Sequence, residues 1–122
     1  LAFLSGGRGG ATEARANQLG IEHCLVGIKD KPAALSQLQR DVGVRAINTA
    51  FVGDDFNDLA VRHLVRLLIA PADGCKPLRL QSDAVLQHEG GRGAVRELAE
   101  RILKQRGHLT EIQRRGWIDR ND

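Results

Sequence analysis

A chain of 122 residues is long enough for one domain with a core of its own and too short for two. With 42% hydrophobic and 27% charged residues, and no apolar run near the ~20 residues of a membrane span, the composition excludes both disorder and a helical membrane protein. The net charge of +3 comes from Lys and Arg that alternate with Asp and Glu, and only Phe3, Phe51, Phe56 and Trp117 are aromatic, which favours anionic small molecules over nucleic acid or membrane as partners.

Leu1 to Leu4 is a short, continuously apolar strand that reads as the second half of a longer one. Together with the absence of methionine, this gives the expectation of an N-terminally truncated fragment. The strand runs into Ser5-Gly6-Gly7-Arg8-Gly9-Gly10, and Ala11 to Leu19 then has helical composition closed by Gly20. Glycines let a backbone approach an anion, N–H groups at a helix start point toward it, and Ser5 adds a hydroxyl donor; the same stretch also reads as a mobile loop. Ile21 to Val26 is the next strand. Asp30 then suits an N-cap and Pro32 a first helical turn, with Leu35, Leu38 and Val42 at helical spacing and Gly43 as the stop. Lys29 and Lys31 flank that helix start, where positive charge opposes the helix dipole. They read either as ligands of a bound anion or as solvated surface lysines.

Ala46 to Val52 is predicted to be a strand that stops at Gly53 and delivers Asp54, Asp55 and Asp58. A helix starting after Asp55 would put Asp58 in its first turn, facing back toward the strand end. Hard divalent cations take oxygen ligands, and Mg2+ is usually held by one or two carboxylates with water and substrate phosphate, so the stretch reads as a Mg2+ and phosphate site. The same spacing also fits Asp55 as a helix cap with Asp58 complementing the dipole. Leu59 to Leu64 continues the helix, Leu67 to Ala70 is a further apolar strand ended by Pro71, Cys75 to Leu80 is a short helix and Ala84 to Leu86 a last strand. Gly90-Gly91-Arg92-Gly93 opens a final helix with Val95, Leu98, Ile102 and Leu103 as its buried face.

Apolar strands alternating with helices predict an α/β fold, a doubly wound parallel sheet covered on both faces. Residues 1–106 read as the domain and 107–122 as a polar tail, in which Trp117 is either an anchor onto the body or a contact with another subunit. Cys24 and Cys75 lack disulfide or zinc spacing and read as reduced, in a cytoplasmic protein. His23, His63, His88 and His108 lack metal-ligand spacing and read as surface or packing residues.

Taken in order, Ser5-Gly6, Lys31, Gly53-Asp54-Asp55-Phe56-Asn57-Asp58, Ala70-Pro71-Ala72-Asp73 and Gly90-Gly91-Arg92-Gly93-Ala94-Val95-Arg96-Glu97 resemble the haloacid dehalogenase superfamily of phosphatases. Within it the chain is similar to the small capless branch that includes 3-deoxy-D-manno-octulosonate 8-phosphate phosphatase and the phosphatase-like C-terminal domain of some acylneuraminate cytidylyltransferases. The resemblance implies a Rossmann-like sheet and Mg2+-dependent hydrolysis of a phosphorylated keto-sugar acid, in enzymes that are homotetramers. By the same resemblance Ser5, with Gly6, binds the transferring phosphoryl group and Lys31 neutralises it. Asp54 is the direct Mg2+ ligand supported by Asp55 and Asp58, and Arg92 lies at the substrate end. Two departures stand out: Gly7 occupies the place of an arginine, with Arg8 beside it, and no Asp-x-Asp-Gly motif supplies the nucleophile. The family sheet would then lack its central first strand, between the strand ending at Ser5 and the strand ending at Asp54, and this chain alone is expected not to turn over. The alternatives are a domain of a cytidylyltransferase and a non-catalytic module for sugar-phosphate binding or oligomerisation.

Overall fold

The computed structural model describes residues 1–116 and divides into two compact units, Leu1–Gly43 and residues 44–116. In the first unit β1 (Ala2–Leu4) and β2 (His23–Leu25) run parallel, with Ala2 opposite His23 and Leu4 opposite Leu25. A parallel pair needs a crossover, and α1 (Ala11–Gln18) provides it. Then comes α2 (Lys31–Val42). The sequence signals for α2 are borne out: Asp30 Oδ1 accepts from the Ala33 amide at 2.9 Å, Pro32 lies in the first turn, and Gly43 closes the helix at φ 68°. The unit buries Ala16, Ile21 and Leu35.

The second unit carries β3 (Ala50–Val52), β4 (Leu67–Ala70) and β5 (Ala84–Val85), all parallel in the order β3-β4-β5. Between them lie a 3-10 helix, Phe56–Leu64, and α3 (Lys76–Gln81); α4 (Ala94–Gln105) and α5 (Leu109–Arg115) follow. The continuous apolar run of β4 marks it as the middle strand, covered on both faces, and Leu68, Ile69 and Ala70 are exposed by no more than 4%. Around it Val61, Val65, Leu78, Leu86 and Ala94 complete the buried core, with Ala84 and Leu98 packed against its edge. Among the described residues no helix is long and apolar enough to cross a membrane.

The parallel α/β architecture agrees with the expectation, and the strands fall into one two-stranded and one three-stranded sheet. β1 and β3, the strands expected to lose a common neighbour, each pair on one side only among the described residues. The strand predicted from Ala46 is shorter, because Ala46–Asn48 folds into a 3-10 turn pinned by Thr49, whose amide donates to the Ala46 carbonyl and whose hydroxyl donates to that of Arg45. The buried face predicted for α4 also needs correction: Val95 is 74% exposed and Ile102 44%. The helix meets the body through Ala94, Glu97 and Leu98, which leaves Val95 and Ile102 together on its flank. Helix α5 occupies part of the segment read as a tail, and Trp117 lies outside the described residues.

Candidate functional site

In a parallel α/β unit the loops at the carboxyl ends of the strands gather on one edge, where ligands bind. In the first unit these are the loops after β1 and β2. The Ser5 amide donates to the Leu25 carbonyl, the Ile28 amide to that of Ser5, and the Gly27 amide to that of Gly7, so the two loops are laced together. The Ser5 hydroxyl accepts from the Gly7 amide at 3.1 Å and keeps its own proton to donate elsewhere. Gly6 is exposed beside it, with a Cβ position 3.4 Å from the Ile28 carbonyl oxygen. Arg8 lies across Gly27, where a Cβ would stand 2.8 Å from its Nε and where φ is 66°. The half-buried Lys31 opens α2 on the same laced edge, just past Ile28.

In the second unit the loop after β3 is built around Asp58, which is 2% exposed. Its Oδ2 accepts from the amides of Asp54 at 2.9 Å and Asp55 at 3.1 Å. Asp55 caps the 3-10 helix, accepting from the Phe56 amide at 2.7 Å, and forms a capping box with Asp58. The capping reading of the sequence is met here, since Asp55 and Asp58 carry the capping. The Asp54 carboxylate is exposed and takes no hydrogen bond or ion pair from any described residue. No group of three or more His, Cys, Asp or Glu side chains among the described residues is placed to hold a metal ion. What the loop offers a hard cation is one outward carboxylate on a braced backbone, which fits Mg2+ shared with substrate oxygens and water.

Hydrogen bonds tie the loops after β3, β4 and β5 in series. The Cys75 amide donates to the Asp54 carbonyl, the Ala72 amide to that of His88, and the Gly90 amide to Asp73 Oδ1 at 2.8 Å. Glu97, at the start of α4, accepts from the amides of Gln87 at 2.8 Å and His88 at 3.0 Å, from His88 Nδ1 at 2.7 Å and from Arg101 Nη2 at 2.6 Å. The His88 ring bond, then the two amides and the Arg101 charge, hold the Glu97 carboxyl below its ordinary value against the cost of desolvation. Arg92, on the loop so anchored, is 83% exposed, with Glu89 Oε2 3.9 Å from its Nε. Neither Asp73 nor Glu97 stood out as a site residue in the sequence, although each closes one of the recognised segments, and His88 read as a surface or packing residue.

These loops lie at the carboxyl ends of parallel strands in an α/β fold that the chain shares with its homologues, among them hydrolases of the haloacid dehalogenase superfamily. A hydrolase of that superfamily, subfamily III A, from Legionella pneumophila is 30% identical with a TM-score of 0.81, covering 88% of this chain and 61% of its own. More particularly, the chain is similar to 3-deoxy-D-manno-octulosonate 8-phosphate phosphatases. That of Escherichia coli (strain K12) is 37% identical over 113 residues, 93% of this chain. The Moraxella catarrhalis enzyme, solved in complex with a magnesium ion, a phosphate ion and a KDO molecule, is 34% identical with a TM-score of 0.83, covering 90% of this chain and 65% of its own. The chain spans 60% of the length of the curated relative from E. coli. No protein-family model matches it.

Proposed function

We propose that this chain works in a Mg2+-dependent phosphomonoester hydrolase acting on a phosphorylated keto-sugar acid of the 3-deoxy-D-manno-octulosonate 8-phosphate type. The observation that carries this reading is its likeness, across nine-tenths of its length, to an enzyme solved with magnesium, phosphate and KDO. In this reading Asp54 is the direct Mg2+ ligand, while Asp55 and Asp58 shape its loop. Ser5 and the Gly6 backbone bind the transferring phosphoryl group, Lys31 offsets its charge, and Arg92 binds the anionic substrate. Phosphoryl transfer is chiefly positioning and charge stabilisation, and each of these residue types suits that chemistry. When bound, the metal supplies Lewis-acid polarisation of phosphoryl oxygen. The sequence has no Asp-x-Asp-Gly motif, so the nucleophilic aspartate of this reading comes from outside these residues. Cys24 and Cys75 are both free, which fits the reducing cytoplasm to which we assign the enzyme.

The test is phosphate release from 3-deoxy-D-manno-octulosonate 8-phosphate with Mg2+, comparing this chain with the longest product of its reading frame. Activity in the longer form alone is the expected result. Activity in neither moves the chain to a non-catalytic binding or assembly role, and activity in the short chain overturns the account of the nucleophile. In the active form, Asp54→Asn is expected to abolish Mg2+-dependent turnover and Lys31→Ala to cost turnover without loss of fold. Retained Mg2+-dependent rates would remove either assignment.

A further inference from the structure

We infer that Glu97 is a positioning residue, whose carboxylate fixes the loop from Gln87 to Gly93 and thereby sets where Arg92 meets an anionic substrate group. The inference rests on the role of Arg92 proposed above. Little in the loop itself holds that guanidinium: Gly91 and Gly93 sit at φ 72° and 104°, and Glu89 approaches Arg92 only at 3.9 Å. A guanidinium on a glycine-rich loop is useful only if the loop is ordered beforehand, because ordering it at binding subtracts from affinity. That order comes from three fastenings. The Arg92 amide closes a turn on the Glu89 carbonyl, the Gly90 amide is held by Asp73, and the first residues of the loop are held by Glu97.

Glu97 does the most. Its oxygens bind the amides of Gln87 and His88 and the His88 ring, and that ring stands against the far end of the loop, where a Cβ on Gly93 would come within 3.3 Å of Cδ2. One carboxylate, 10% exposed and balanced by Arg101, thus fastens the entry of the loop and places the His88 ring beside its exit. An ionised carboxylate only accepts, so Nδ1 of His88 carries the hydrogen and, in the neutral ring, Nε2 is left as the acceptor. This tautomer is a signature that separates the fastening from a merely stabilising ion pair with Arg101.

The experiment uses the longest product of the reading frame with Glu97→Ala, Arg92→Ala and the double variant. Ring-nitrogen NMR is expected to find His88 as the Nδ1–H tautomer in the parent and shifted toward Nε2–H in Glu97→Ala, with the Gln87 and His88 amide resonances displaced. An unchanged tautomer and unchanged amides overturn the inference. In the phosphatase assay, Glu97→Ala is expected to raise KM on the order of 10-fold, the scale of a misplaced binding group, with kcat changed far less and no further rise in the Arg92→Ala background. Independent, additive effects overturn the coupling to Arg92. Should Glu97→Ala not fold, Glu97→Gln, whose amide oxygen can accept the Gln87 and His88 bonds while its NH2 faces Arg101, is expected to keep the parent's KM, and a KM raised to that of Arg92→Ala in that folded variant overturns the inference. If the parent itself turns over no sugar-acid phosphate, the functional reading falls and the substrate role of Glu97 with it, while the tautomer and the amides alone decide whether Glu97 holds the loop.

Discussion

A Cβ on Gly53 would stand 2.5 Å from the Asp58 Cβ and 2.6 Å from its Cγ. Asp58 cannot swing aside, since it is 2% exposed and its Oδ2 already holds the amides of Asp54 and Asp55. Gly53→Ala must therefore displace the loop after β3, at an expected cost of about 1–3 kcal/mol, the usual range for overpacking. Asp58→Gly takes away the Cβ as well and so removes the obstacle, but it strands the two part-buried amides that Oδ2 held, at up to about 1–3 kcal/mol for each. Because the two changes share one contact, the double variant is expected to cost clearly less than the sum of the singles. Urea unfolding of all three checks this, and strict additivity would show that Asp58 does not wedge against Gly53. On the role proposed for Asp54, both singles should also weaken Mg2+ binding, since the backbone that aims Asp54 is the part that moves.

Among the elements, β4 and α4 make opposite claims on their apolar residues. Leu68 and Leu78 are fully buried, so truncating either to alanine is expected to cost about 2–5 kcal/mol, whereas Val95→Ala on the 74% exposed flank of α4 should stay within about 0.5 kcal/mol. Denaturant midpoints at unchanged slope check both, and a large Val95 effect would mean that this flank is covered in solution. The contrast also marks what could be read in advance. β4 was legible because an unbroken apolar run admits one placement, and the start and stop of α2 because Asp30, Pro32 and Gly43 act locally. The face of α4 was not, since periodicity identifies an apolar stripe without saying which side of it meets the body. The 3-10 winding of Phe56–Leu64 was hidden for a related reason, as one short segment does not distinguish two nearby helical periods. At the candidate site the order of the loops could be read, but not the division of labour among Asp54, Asp55 and Asp58, because capping and metal binding call for the same residue type at the same spacing. The Glu97 to His88 contact spans a loop and follows no period, so nothing in the sequence announced it.

For the molecule as a whole, stability is expected to be uneven and to shift with pH. Among its described residues the unit Leu1–Gly43 buries the apolar side chains of Ala16, Ile21 and Leu35 alone, and about 40 residues is near the lower limit for a core that stands unaided. The unit built on β4 buries Val61, Val65, Leu68, Ile69, Ala70, Leu78, Leu86 and Ala94. Hydrogen exchange near neutral pH should therefore open the amides of α1 and β2 at a lower free energy than those of β4. Acid should narrow that gap. Among the described residues, the two carboxylates held below their ordinary values belong to the second unit: Asp83 through the Leu68 amide, then Arg62 and Arg66, and Glu97 through His88, in each case against desolvation. A carboxylate depressed in the folded state stabilises it fully above its unfolded value and loses that contribution as pH falls through the folded one. The loss should thus begin near pH 4, the ordinary carboxylate range, and deepen below it. Protection of β4 should decline over that window while α1 and β2 change little, and Asp83→Asn should flatten the decline. Equal protection of β2 and β4 at neutral pH would mean that the smaller core gains its stability from contacts other than its three buried side chains.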